Sequence, residues 1–260
     1  MENKILLCRP SFYDVTYSIN PWMKGESVNK TLALKQWNQM RTMLGAFDID
    51  INFIEQIDGL PDMVFTANAG VVYKNKVAIS NFKHKQRRKE SGYYKRWFLE
   101  NGYKIIDIPK KLSFEGCGDV VIHNGNLIGG YGFRTDLKAL KYVSKELGLN
   151  LIYLKLTNPN FYHLDTCFSI IDDELAIYNP RAFSKYTIKK LKNFELIEVS
   201  EEEANNFACN SIVFNKNILM PNNNDRIASI LSSKGYQVYQ INTSEFMKSG
   251  GSLQCMCLWI

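Results

Sequence analysis

Five polar side chains recur along this chain at nearly one interval. Asn68, Glu115, His163, Asn210 and Cys255 stand 47, 48, 47 and 45 residues apart. A period of that length marks one supersecondary unit used several times, each copy burying its apolar face against the next. The equivalent place in each copy carries a hydrogen-bonding or nucleophilic group. Five copies closed into a ring would therefore bring those groups to one pocket, which makes the repeat a clue to function as well as to fold.

Within one interval the apolar pattern reads as a β-hairpin, a loop, an amphipathic helix and a returning strand. One copy has strands over 63–73 and 77–80, a helix over 88–101 and a last strand over 104–108. The next has strands over 119–123 and 127–129 around Asn124 and Gly125, two residues that tolerate the positive φ of a tight hairpin turn. Its helix covers 137–147 and its last strand 151–154. The pattern repeats over 166–199, with a helix at 186–192, and over 211–241, with a helix at 225–234. A fifth unit is split between the chain ends: 253–259 supplies its first strand, and 5–8, a helix over 30–44 and 50–55 complete it. The expected class is α/β, a closed ring of ββαβ units whose last strand pairs with the first, leaving no exposed sheet edges between copies. No Pro/Gly/Ser-rich linker or low-complexity tract interrupts it, so residues 1–260 are expected to form a single domain.

Composition narrows the function classes. A content of 45% hydrophobic and 13% aromatic residues is enough for a sizeable core. No apolar run approaches the roughly 18 residues of a membrane span, and the first residues lack the pattern of a signal peptide. The expected setting is cytoplasmic, without a membrane partner. Six scattered cysteines suit reduced thiols, and with three histidines and no CxxC pair no metal site is expected. The net charge of +6 gathers only briefly, at 84–89, where a short basic run reads as a solvated helix start. No nucleic-acid partner is expected.

Cys255 follows Gly250 and Gly251, which let the backbone turn sharply and approach a ligand. Alone, a cysteine among Leu, Met and Trp reads more readily as a small buried hydrophobe than as a nucleophile. His163 and Asp165 are alternate residues, so on a strand they would face one side, where a carboxylate raises the basicity of an imidazole and orients it. With a thiol on another repeat, the pair suits a nucleophile and its acid/base. Glu115 and Asp119 bracket a Gly-rich turn and suit a cationic ligand, since a guanidinium matches a carboxylate fork. Asp62 and Asn68 lie in a mostly apolar stretch, where an unpaired polar side chain costs about 1–3 kcal/mol. Asn68 is expected to meet the ligand.

Together, Glu115-Gly116-x-Gly118-Asp119, His163-Leu164-Asp165 and Gly250-Gly251-x3-Cys255 resemble the guanidino-group-modifying superfamily of arginine deiminases, dimethylargininases and amidinotransferases. The resemblance covers most of the chain and implies the pentein fold, a five-fold pseudosymmetric α/β propeller, as a single catalytic domain without cofactor. Within the superfamily, 19–23, 61–70, 130–134, 162–168 and 207–210 look most like arginine dihydrolases, which convert arginine to ornithine, carbon dioxide and two ammonia. It implies that Cys255 attacks the guanidinium carbon, His163 protonates the leaving nitrogen and then activates water, and Glu115 with Asp165 grips the guanidinium. It further implies that Arg87 and Arg134 hold the α-carboxylate, with Asn20, Asn68 and Asp119 adding contacts. Deiminases typically carry Asp where this chain has Asn68, a departure that argues against simple deimination. The implied ligand is L-arginine or another guanidino compound. Other outcomes on the same fold are citrulline formation by a deiminase or dimethylargininase, amidino transfer, and a non-catalytic ribosome-binding factor. Rings of this sort often self-associate through outer helices, and no heptad pattern decides whether a homo-oligomer forms.

Overall fold

The computed structural model describes residues 3–260. Among them are five three-stranded sheets, each an antiparallel pair whose central strand also pairs in parallel with a third. Parallel pairing needs a crossover, and the helices supply it. Glu90–Glu100 links Lys76–Ile79 to Lys104–Asp107, and Leu137–Leu147 links Asn126–Tyr131 to Asn150–Lys155. The split unit forms as expected, but the five sheets stay separate, so each keeps its own edge strands where no edge between copies was expected. Leu258–Trp259 lies antiparallel to Lys4–Cys8, which runs parallel to Asp50–Ile54 across the helix Lys30–Ala46. The arrangement is the five-fold pseudosymmetric α/β pentein propeller.

Local chemistry explains the elements. Asn124 and Gly125 both adopt positive φ, 46° and 73°, as the tight turn between Val120–His123 and Asn126–Tyr131 requires. In Leu137–Leu147 the buried side chains Leu140, Val143 and Leu147 recur at helical spacing, and the helix stops at left-handed Gly148. Those three pack with Val120, Leu127 and Ile106, each burial contributing about 1.5–3 kcal/mol. Lys30–Ala46 begins where the Asn29 side chain accepts the Leu32 N–H.

The segments nearest the ring axis depart from expectation. Residues 63–69 and 254–256 are not strand: Pro61–Val64, Thr66–Ala69 and Gln254–Met256 are 3₁₀ turns, and strand begins only at Gly70 and Leu258. Gly116–Gly118 and Leu164–Thr166 are the same device in their copies, while 206–210 is a turn closed by Asn210 N to Phe207 O at 2.8 Å. A strand sends alternate side chains to opposite faces, whereas a 3₁₀ turn rises only about 2 Å per residue and keeps successive residues near the axis. The continuous burial of 61–70 hides the difference from pattern reading. The helix expected at 186–192 is short, Lys185–Ile188 followed by the 3₁₀ turn Lys189–Leu191. An unexpected helix, Glu201–Asn205, is started by a Ser200–Glu203 capping box.

Candidate active site

Each 3₁₀ or equivalent turn delivers one member of the repeated set to the axis, and all five are buried: Asn68, Glu115, His163, Asn210 and Cys255 are at most 3% exposed. Gly118 is where two of them meet. A Cβ there would strike the Asn68 amide nitrogen and come within 3.1 Å of His163 Nδ1. Cys255, His163, Asn68, Arg87, Arg134 and Asn20 line one cleft, together with Asp62 and Phe65. Its free volume is about 10 Å³, room for about one water. Asn20 Nδ2 donates to Ser249 O (2.9 Å) and Tyr162 Oη (3.2 Å), tying together three residues of its lining.

Glu115 and Asp165, both expected to grip the guanidinium, stand behind the residues that line the cleft. Glu115 Oε2 lies 2.9 Å from both His163 Nε2 and Arg134 Nη1, and the Glu115 backbone N–H donates to Thr135 Oγ1 at 3.0 Å. The expected pairing of His163 with Asp165 is therefore corrected to His163 with Glu115, because Leu164–Thr166 is a 3₁₀ turn and the two side chains do not share a face. Asp165 instead reaches the nucleophile candidate: Cys255 Sγ lies 3.1 Å from Asp165 Oδ2. Asp119, expected against the substrate, is wholly buried behind His163, with Oδ1 accepting the Leu164 N–H (3.2 Å) and Oδ2 4.0 Å from His163 Nε2.

The two arginines are held before any ligand arrives. Arg87 donates Nε and Nη2 to Glu90 at 2.9 and 2.8 Å, and Nη1 to Asn68 Oδ1 at 2.7 Å. Arg134 bonds Glu115 and Ile19 O and stacks over the Tyr162 ring at 4.5 Å. Since a guanidinium only donates, Asn68 turns its oxygen to Arg87 and its NH₂ the other way. That NH₂ has no partner among the described residues, and neither do Asp62 Oδ1 and Asp165 Oδ1. Asp62 was noted in the sequence for its apolar surroundings but not counted with the site; its Oδ2 accepts the Tyr17 hydroxyl at 2.8 Å.

Burial works against ionising Glu115, but the Arg134 guanidinium and His163 outweigh it and hold this carboxyl well below its usual range. Burial pushes His163 down to about 4 against the pull of Glu115. At neutral pH the pair is thus carboxylate and neutral imidazole, and Nε2 carries the hydrogen because a carboxylate only accepts. The Nδ1 lone pair remains for the cleft. Burial raises Asp165 to about 7, and burial with the Asp165 charge raises the Cys255 thiol well above its ordinary value. Among the described residues no cluster of three His, Cys, Asp or Glu side chains could hold a metal ion.

A five-bladed α/β ring that turns a thiol, an imidazole and buried carboxylates toward its axis defines a pentein. Known proteins agree. The eukaryotic N,N dimethylarginine dimethylhydrolase family profile matches residues 15–260. The chain is 37% identical to a bifunctional arginine dihydrolase/ornithine cyclodeaminase (AgrE) of Nostoc sp., covering 98% of this chain and 37% of that protein. It is 34% identical to an N(G),N(G)-dimethylarginine dimethylaminohydrolase of Mycobacterium tuberculosis, covering 96% and 83%. The product-bound N-terminal domain of ArgZ, a cyanobacterial arginine dihydrolase, superposes with a TM-score of 0.95 at 37% identity, covering 98% of this chain and 96% of that one. The chain belongs to the guanidino-group-modifying pentein family of these hydrolases, and it spans little more than a third of the length of the bifunctional members.

Proposed function

We propose that this chain is an arginine dihydrolase acting through Cys255, converting L-arginine and two waters to ornithine, carbon dioxide and two ammonia. The observation that carries the reading is the Asn68 amide: its oxygen is fixed on Arg87, so its unpartnered NH₂ is presented at the axis as a donor. A donor there suits an oxygen on the reacting carbon and does not suit a guanidinium N–H.

The cationic guanidinium meets Asp165 Oδ1, and the α-ammonium meets Asp62 Oδ1. Arg87, Arg134 and Asn20 face the α-carboxylate. The Cys255 proton passes to neutral His163 as sulfur adds to the guanidinium carbon, and the imidazolium, steadied by Glu115, hands that proton to the leaving nitrogen. Ammonia departs and a thiouronium remains on sulfur. His163 then takes a proton from water, whose oxygen adds to the carbon. With Asn68 donating to that oxygen, collapse expels a second ammonia and leaves a thiocarbamate. A second water releases Cys255 and a carbamate, which splits to ornithine and carbon dioxide.

The structures of ArgZ domains described with substrate, product and a covalently bonded reaction intermediate support this reading by likeness. A second reading, dimethylarginine to citrulline, has the family profile and the mycobacterial relative in its favour. Residues 1–260 act as one catalytic unit in this proposal. Six unpaired cysteines favour the reducing cytoplasm, and no helix among the described residues is long and apolar enough to cross a membrane. The test is product analysis. Ornithine with two ammonia per arginine is expected; citrulline with one ammonia and no ornithine overturns the dihydrolase reading, and turnover of dimethylarginine alone selects the second.

A further inference from the structure

The fourth copy of the repeat brings Asn210 to the axis, and no step above uses it. Its side chain is fully buried and grips Cys255 at two points: Oδ1 accepts the Cys255 backbone N–H at 3.2 Å, and Nδ2 lies 3.1 Å from Cys255 Sγ. Nδ2 also donates to Asp165 O at 3.0 Å. The orientation of this amide is dictated by its partners. A backbone N–H only donates and a backbone carbonyl only accepts, so the oxygen faces Cys255 N and the NH₂ faces Asp165 O and the sulfur. One amide hydrogen serves the carbonyl and the other serves the sulfur.

We propose that Asn210 is a catalytic residue whose amide N–H is the fixed donor to Cys255 Sγ, stabilising the thiolate as the thiol proton leaves for His163. The proposal rests on Cys255 being the nucleophile, and not on which product forms. Asp165 cannot take this role. It accepts the S–H hydrogen at Oδ2, and once sulfur is charged it confronts that charge with its own. Asn210 is neutral, anchored at both ends of its amide and already in contact, so its bond strengthens on ionisation without rearrangement. Burial raises the thiol in the free protein, and the Asn210 bond opposes that rise. Thiolate therefore forms when a cationic ligand arrives, and the amide is the partner that sulfur keeps throughout.

Asn210→Asp is nearly isosteric and replaces the donor with an acceptor, while Asn210→Ser keeps a shorter donor. The rate of iodoacetamide alkylation, read at Cys255 by peptide mass mapping without substrate, follows the thiolate fraction at each pH. At fixed pH on the rising limb, N210D is expected to alkylate about 10- to 100-fold more slowly than the wild type, the loss of a hydrogen bond to a charged group. N210S is expected to fall between them, and kcat should drop in the same order with KM within about threefold. A residue that merely packed the site would loosen it on substitution and raise the alkylation rate. Wild-type or faster alkylation in folded N210D overturns the proposal, and should N210D not fold, wild-type or faster alkylation in N210S does the same. Because alkylation needs no substrate, failure of the wild type to turn over arginine would count against the dihydrolase reading alone.

Discussion

Replacing Asn68 by Asp should separate the two hydrolyses. In the wild type Arg87 Nη1 holds Asn68 Oδ1 at 2.7 Å and leaves Nδ2 as a buried donor without a partner among the described residues. Asp keeps the acceptor toward Arg87 but turns a second acceptor toward the axis. The first step tolerates this, since a carboxylate pairs with a guanidinium. The second loses its donor to the carbonyl oxygen and gains an unpaired acceptor against it, a change of about 1–3 kcal/mol. At about 1.4 kcal/mol per decade, ornithine formation should slow roughly 5- to 150-fold. The assay follows citrulline, ornithine and ammonia together from labelled arginine. Ammonia per arginine should move from two toward one as citrulline accumulates. If N68D lowers both products by the same factor, Asn68 does not govern the second hydrolysis.

Further outcomes follow from the same geometry. Glu115→Gln leaves buried Arg134 without its counter-charge, which should cost about 3–5 kcal/mol and lower the melting temperature by roughly 10 °C at pH 7. Glu115 titrates below its unfolded value, so its contribution is present above about pH 4.3 and fades in acid. The gap between E115Q and wild type in thermal unfolding should accordingly narrow as pH falls through 4, and a constant gap would count against the ion pair. Asp165, raised to about 7, must ionise to hold a guanidinium, so kcat/KM for arginine should fall as pH drops below 7. The same raised value means its neutral form favours the fold: that stability is complete below about pH 3.9 and is lost as pH rises through 7. Stabilisation by bound arginine, measured as a shift in melting temperature, should therefore grow from pH 6 to 8. Cys255→Ser should abolish turnover, whereas Cys257→Ser should retain it and lose only stability, because Cys257 is sealed among core side chains. Equal loss of turnover in both would remove Cys255 from its role.

Periodicity carried a great deal in this chain. The spacing of Asn68, Glu115, His163, Asn210 and Cys255 specified five copies, their ββαβ order and the splitting of one copy across the termini, because each copy must repeat the same apolar faces to pack on its neighbours. Composition and motif also picked out the side chains that reach the axis. Their partners were a different matter. Whether His163 meets Asp165 or Glu115 depends on Leu164–Thr166 being a 3₁₀ turn, and residues buried on every side show no period that separates such a turn from a strand. That Asp119 stands behind the imidazole, that Asp62 faces the cleft and that Asn210 grips the thiol are contacts between copies, set by how five blades close around one axis. Local sequence encodes each blade and its polar tip. Only closure of the ring decides which tips touch, since hydrogen bonds and pKa values depend on distances of a few ångströms between residues 45 or more positions apart.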